Sequence, residues 1–77
     1  MQDLHWLPNG ISQKQWDIWK LVSDGMTNAQ IGRELGWHER HINHEVGQLY
    51  EKLSITSSAK RVRLTNMFPK EPLKRGI

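Results

Sequence analysis

The sequence predicts an all-α fold, a compact four-helix domain that contains a helix-turn-helix. Apolar residues recur at three- and four-residue spacing from Trp16 to Leu53, which is the period of helices that bury one face. A serine or threonine twice precedes a glutamine by three residues, as in a capping box. A glycine follows each of the first two apolar segments, where helices commonly end.

Length and composition limit what the chain can be. The 77 residues carry a net charge of +3 and include no cysteine, which excludes a disulfide framework and a thiolate zinc site. A domain of this size buries only about 60% of its unfolded surface, so we expect no deep catalytic cleft. No apolar run approaches the roughly 20 residues of a membrane span, and no basic secretory start is present. We predict a cytoplasmic protein without membrane association.

The chain divides into three segments. Residues 1–10 form an N-terminal arm that ends in the turn sequence Pro8-Asn9-Gly10. Residues 11–68 form the helical domain. Residues 69–77 form a flexible basic tail, because Pro69 and Pro72 stop a helix there.

Two capping boxes place the first two helices. Ser12 and Gln15 start the first helix, which continues until Gly25 supplies a left-handed end. Thr27 and Gln30 start a short second helix over residues 28–35, and Gly36 ends it.

The third helix is predicted at about residues 39–53, where no proline interrupts an apolar face. That face comprises Ile42, Val46, Leu49 and Leu53. Gly47 costs this helix about 1 kcal/mol. A last helix at about residues 57–67 places Ala59, Val62 and Met67 on one side.

The predicted order is that of a helix-turn-helix: a short helix is followed by a glycine turn and a longer helix. In a helix-turn-helix the second helix enters a major groove. Small Gly32 suits a close helix crossing, and Trp37 is expected to fill the core beneath the turn. A plain helical hairpin within a bundle fits the same pattern, so the spacing alone leaves both open.

Residues 11–36, with the sequence ISQKQWDIWKLVSDGMTNAQIGRELG, resemble without a gap the first two helices of the LuxR-type (GerE-type) helix-turn-helix domain of bacterial transcription regulators. The resemblance continues through Ile42, Leu49, Leu53 and Ile55 to Ala59. It implies four helices, a recognition helix at about residues 39–53, and a final helix that often forms the dimer contact.

The resemblance also implies which residues contact DNA. By position, the outward face of the recognition helix comprises Arg40, Asn43, His44 and Gly47. An arginine can reach a phosphate or a guanine edge, an asparagine can pair with adenine N6 and N7, and a histidine can donate to either. The remaining DNA-binding candidates are Thr27 and Asn28, at a helix N-terminus that suits a phosphate, and His41 and Lys52. The dimerisation candidates are Ala59, Val62, Arg63 and Asn66.

The charge of the predicted recognition helix differs from what DNA binding would favour. Glu45 stands where the family usually has a histidine, and residues 38–53 hold three glutamates against Arg40 and Lys52. A slightly acidic recognition helix suits a polyanion poorly. Residues 60–77 hold six basic residues and one acidic residue, and their segment 60–63 is either a solvated helix face or a phosphate contact.

Other site chemistries find little support. His41 and Glu45 have metal-compatible spacing, but two ligands make a weak site, so we predict no metal and no cofactor. Trp16 is either packed or an outward contact surface. The sequence contains no Ser/His/Asp arrangement and no glycine-rich phosphate loop, so we predict neither an enzyme nor a small-molecule receptor.

Two functions remain open. The first is a stand-alone transcription regulator that binds double-stranded DNA as a homodimer, which the continuous family pattern favours. The second is a protein-binding module that docks on another transcription regulator or on RNA polymerase, which the acidic recognition face favours together with the expectation of no attached sensor domain, since only ten residues precede the first helix.

Overall fold

The computed structural model describes residues 10–56 and 58–69. Within this part, the chain forms four α-helices and no strand: α1 (Gln13–Ser23), α2 (Asn28–Leu35), α3 (Glu39–Lys52) and α4 (Lys60–Met67). The predicted all-α, four-helix architecture is confirmed. The predicted arm, apart from Gly10, and the predicted tail, apart from Pro69, lie outside the described residues.

Both predicted capping boxes are present. Ser12 Oγ accepts from Gln15 N at 3.1 Å, and Gln15 Oε1 accepts from Ser12 N at 3.2 Å. At the start of α2 the corresponding distances for Thr27 and Gln30 are 3.1 and 2.8 Å. Each box gives partners to backbone N–H groups that a helix start leaves unsatisfied, so these helices begin where the sequence indicates.

The end of α1 is a left-handed cap with two backbone hydrogen bonds. Met26 N donates to Leu21 O at 3.1 Å, and Gly25 N donates to Val22 O at 3.0 Å. Gly25 has a φ of 92°, which a glycine adopts without steric cost. The chain therefore reverses within a few residues and brings α2 back towards the core.

A single apolar core joins the four helices. Its buried residues are Ile11, Ile18, Trp19, Val22, Ile31, Ile42, Val46, Leu49, Ile55 and Leu64. Trp19 also donates from its Nε1 to the Leu64 carbonyl at 2.7 Å. The core thus fixes α3 on its inner side and leaves its other side to solvent.

One expectation about packing is wrong. Trp37 is 42% exposed rather than buried, because it follows the α2–α3 turn and its ring stacks on His41, with centroids 4.5 Å apart. In α4 the inward residue is Leu64, whereas Val62 and Met67 are 60% and 45% exposed. The helix also begins later than expected, at Lys60.

Candidate nucleic-acid interface

The exposed side of α3 presents a row of polar residues. Arg40, Asn43 and His44 are exposed and Gly47 is half-buried, and their three- and four-residue spacing puts them on one helix face. Ile42, Val46 and Leu49 hold the opposite face in the core. The structure therefore brings together the four α3 residues that the resemblance implied.

A shallow depression lies at the N-terminal half of this face. Its lining comprises His38, Arg40, His41 and His44, and its volume is about 530 Å³. His38 caps α3 by accepting from Arg40 N at 3.4 Å. The arginine offers this depression hydrogen-bond donors and a positive charge, and a neutral imidazole offers one donor and one acceptor.

The N-terminus of α2 adjoins the same face. Asn28 Nδ2 donates to Asn43 Oδ1 at 2.7 Å, and Arg61 of α4 donates to Asn28 Oδ1 at 2.8 Å. Thr27, which caps α2, is exposed beside them. The predicted phosphate-binding residues and the predicted base-reading residue Asn43 therefore form one continuous surface.

Glu45 does not belong to that surface. It is 8% exposed, accepts from Gln15 Nε2 at 2.9 Å and lies 3.5 Å from Lys14 Nζ. The expectation of an acidic recognition face counted Glu45 as an outward residue, and this is wrong. The acid that departs most from the family pattern points into the domain, where α1 neutralises it.

The environment of Glu45 favours its charged form. Burial alone would raise the pKa of this carboxyl, but the hydrogen bond from Gln15 and the nearby charges of Lys14 and His41 outweigh it and hold the pKa below the ordinary value of a glutamate. A carboxyl whose pKa is lowered in the folded state stabilises that state above its unfolded pKa and loses the contribution as the pH falls.

We expect Glu45→Gln to be less stable than the wild type near neutral pH, with the difference shrinking as the pH falls below about 4.5. Urea unfolding of both proteins from about pH 7 to about pH 3 measures this difference. Glu51→Gln, at an exposed position of the same helix, is the matched control. A difference that stays constant over the range would contradict this account of Glu45.

His41 and Lys52 lie apart from the outward row. His41 is half-buried, with its Nε2 3.0 Å from Lys14 Nζ and 3.5 Å from a Glu45 oxygen. Lys52 Nζ donates to Gly10 O at 3.0 Å and to Gln15 Oε1 at 2.8 Å. These two predicted DNA-binding residues connect α3 to the start of α1 and to Gly10 before it.

The predicted dimerisation residues share one exposed side of α4. Ala59, Val62, Arg63 and Asn66 are all exposed, and their spacing is that of a single helix face. Leu64 anchors the opposite side in the core.

Sequence reasoning missed two cations that organise the site. Lys14 lies over the Trp37 ring, 4.5 Å from its centroid, as well as beside His41. Arg61 donates to Met26 O at 2.6 Å besides its bond to Asn28. Each cation meets partners more than twenty residues away in sequence, so no local pattern could have identified these contacts.

Within residues 10–56 and 58–69, no group of three or more His, Cys, Asp or Glu side chains is placed to hold a metal. No helix in that same part is long and apolar enough to cross a membrane.

Comparison with known families is decisive. The model of the family described as "Bacterial regulatory proteins, luxR family" matches residues 9–65. The chain belongs to this family. A relative from Guillardia theta, named "Probable transcriptional regulator ycf29", is 29% identical over 58 residues, which are 75% of this chain and 26% of that protein. No solved structure matches the chain.

The family and the fold agree. The chain is a LuxR-type helix-turn-helix domain, the DNA-binding domain of that family of bacterial regulatory proteins. The chain covers only about a quarter of the length of the curated relative.

Proposed function

We propose that the chain binds double-stranded DNA with α3 in the major groove, where Arg40, Asn43 and His44 read base edges or phosphates. The observation that carries this proposal is the inward, neutralised position of Glu45. With that acid turned inward, the depression at the N-terminal half of α3 is lined by Arg40 and three histidines, while Glu39 is exposed beside it.

The dimensions support this docking. The 14 residues of α3 span about 21 Å, and a B-DNA major groove, about 12 Å wide, admits a helix. At the same surface the N-terminus of α2, capped by Thr27, offers backbone N–H groups to a phosphate.

A homodimer through α4 extends the proposal. Its exposed side carries Val62, which is 60% exposed, flanked by Arg63 and Asn66. A two-fold dimer would require two half-sites about one helical turn, or a multiple of it, apart. A palindrome in the DNA sequence that the protein selects would therefore indicate a two-fold dimer.

The alternative, a module that docks on another transcription regulator or on RNA polymerase, loses part of its motivation. It depended on an acidic recognition face, and Glu45 does not contribute to that face. This alternative is the outcome if no duplex is selected.

Selection from random duplexes at physiological salt tests the proposal. We expect a palindromic site to be enriched, and we expect Arg40→Ala to weaken binding to it by about tenfold or more, since one good contact to a base is worth about 1–3 kcal/mol. Arg33→Ala, which removes the same charge from an exposed position of α2, should have a smaller effect. Absence of any enriched site would refute the proposed DNA reading.

A further inference from the structure

Three helices contribute one side chain each to a continuous chain of hydrogen bonds at the candidate interface. Arg61 Nη1 of α4 donates to Asn28 Oδ1 of α2 at 2.8 Å. Asn28 Nδ2 in turn donates to Asn43 Oδ1 of α3 at 2.7 Å. The last member, Asn43, is exposed on the face that we propose reads DNA.

The direction of these hydrogen bonds follows from which atoms can donate and which can accept. A guanidinium group can only donate, so the Asn28 atom that faces Arg61 must be its carbonyl oxygen. The Asn28 amide nitrogen then faces Asn43, and the Asn43 atom that receives it must be an oxygen. In a side-chain amide the oxygen accepts and the NH₂ group donates. Because the Asn43 oxygen faces Asn28, the Asn43 NH₂ group is directed away from Asn28.

Arg61 is itself held in place. Its second nitrogen, Nη2, donates to the carbonyl of Met26 at 2.6 Å, at the turn that precedes α2. Both terminal nitrogens of the rigid guanidinium fork, Nη1 and Nη2, are therefore engaged. A lysine would keep the charge but lose this paired geometry.

Building on the proposed DNA binding, we propose that Arg61 and Asn28 are positioning residues that set Asn43 as a hydrogen-bond donor, and so determine which base it prefers. A donor suits the major-groove edges that show only acceptors, O6 and N7 of guanine and O4 of thymine. The paired contact to adenine expected from sequence requires both ends of the Asn43 amide to face the base, and one end is already bonded to Asn28.

The variant Asn28→Asp inverts this arrangement. A carboxylate at position 28 still accepts from Arg61 but cannot donate to Asn43. Asn43 then turns its NH₂ group towards position 28 and presents its oxygen outwards. An outward acceptor suits the exocyclic amino groups of cytosine and adenine.

Gln30→Glu is the matched control. It adds the same negative charge two residues away, at an exposed position, and glutamate preserves the capping box that Gln30 makes with Thr27. Any general loss of affinity for the polyanion should therefore be similar in the two variants, whereas only Asn28→Asp should alter the preferred base.

Random-duplex selection with the whole chain reads out the preference. The base pair that Asn43 contacts is the position whose preference disappears in Asn43→Ala. There we expect guanine or thymine for the wild type and for Gln30→Glu. For Asn28→Asp we expect a change of about tenfold or more towards cytosine or adenine. The same preferred base in Asn28→Asp and the wild type would overturn the inference.

A measurement on the DNA-free protein tests the hydrogen bonds separately. In nuclear magnetic resonance spectra, Arg61→Ala should shift the side-chain amide signals of both Asn28 and Asn43, whereas Lys60→Ala, on the same helix, should leave them in place. Unchanged Asn43 signals in Arg61→Ala would overturn the inference even if the wild type selects a DNA site. If the wild type selects no site, the proposed function fails and the base preference fails with it.

Discussion

Gly32→Ala should destabilise the domain by about 2 kcal/mol, a large share of the stability of so small a fold. A Cβ atom at position 32 would lie 2.5 Å from the backbone oxygen of Trp37 and 3.5 Å from the backbone nitrogen of Glu39. Backbone atoms cannot turn aside as a flexible side chain can, so α2 and the start of α3 would have to separate. This cost exceeds the roughly 1 kcal/mol that alanine gains over glycine within a helix.

Gly47→Ala is the matched control, because a Cβ atom there meets nothing within 4 Å beyond the backbone of its own helix and its chain neighbours. Gly47 lies inside α3, so this variant should gain about 0.5–1 kcal/mol from helix propensity alone. Urea unfolding followed by tryptophan fluorescence measures both variants. Equal stabilities would show that the close crossing of α2 and α3 is not what requires Gly32.

Gly32→Ala should also weaken the DNA binding that we propose. Moving α3 relative to α2 would displace Asn43 from Asn28, which now lie 2.7 Å apart, and would disturb the continuity of the candidate interface. Gly32 therefore connects the packing of the helix-turn-helix to the surface that it presents.

The local features of this fold could be predicted from sequence because their causes lie within a few residues. The capping box at Ser12 involves a partner three residues away, and Gly25 and Gly36 adopt positive φ angles of 92° and 77° next to helix ends. Such signals depend on the backbone near them and little on the rest of the chain.

The polar contacts between residues far apart in the sequence could not be predicted. Glu45 meets Gln15, and Lys52 meets Gly10, across separations of 30 and 42 residues. A glutamate at one position of a helix is equally compatible with solvent and with a neutralising partner, and only the packing of α1 against α3 decides between them. The expectation that Glu45 lies on the outward face was wrong for this reason, whereas Glu39 and Glu51 are exposed.

The connection before α4 also had no sequence signal. Ser54 and Ala59 both have a φ of 57°, in the left-handed region that non-glycine residues rarely adopt. Ser54 occupies that region at the end of α3, where Ile55 N donates to Tyr50 O at 2.8 Å. The conformation of Ala59 delays the helix start to Lys60.

The second large effect is expected at the junction of α1 and α4. Trp19→Ala should cost about 3–5 kcal/mol, which is the usual range for loss of a buried tryptophan and a large share of the stability of a small domain. Trp19 is 2% exposed and packs edge to face against Phe68, with centroids 5.3 Å apart. Far-ultraviolet circular dichroism during urea unfolding is the appropriate measurement, because it does not depend on the tryptophan that is removed.

Two further variants separate the contributions of Trp19. Trp19→Phe keeps an aromatic ring but leaves the Leu64 carbonyl, now 2.7 Å from Trp19 Nε1, without its donor, at a cost of about 1–3 kcal/mol. Trp37→Ala removes a tryptophan that is 42% exposed and should cost less than about 1.5 kcal/mol, since its ring is half in solvent and contacts His41 and Lys14 at the surface. If Trp19→Ala were no less stable than Trp37→Ala, burial of Trp19 would not be what holds α4 against α1. Burial of Leu64 and the Arg61 contacts to Asn28 and Met26 would then be what holds α4 in place.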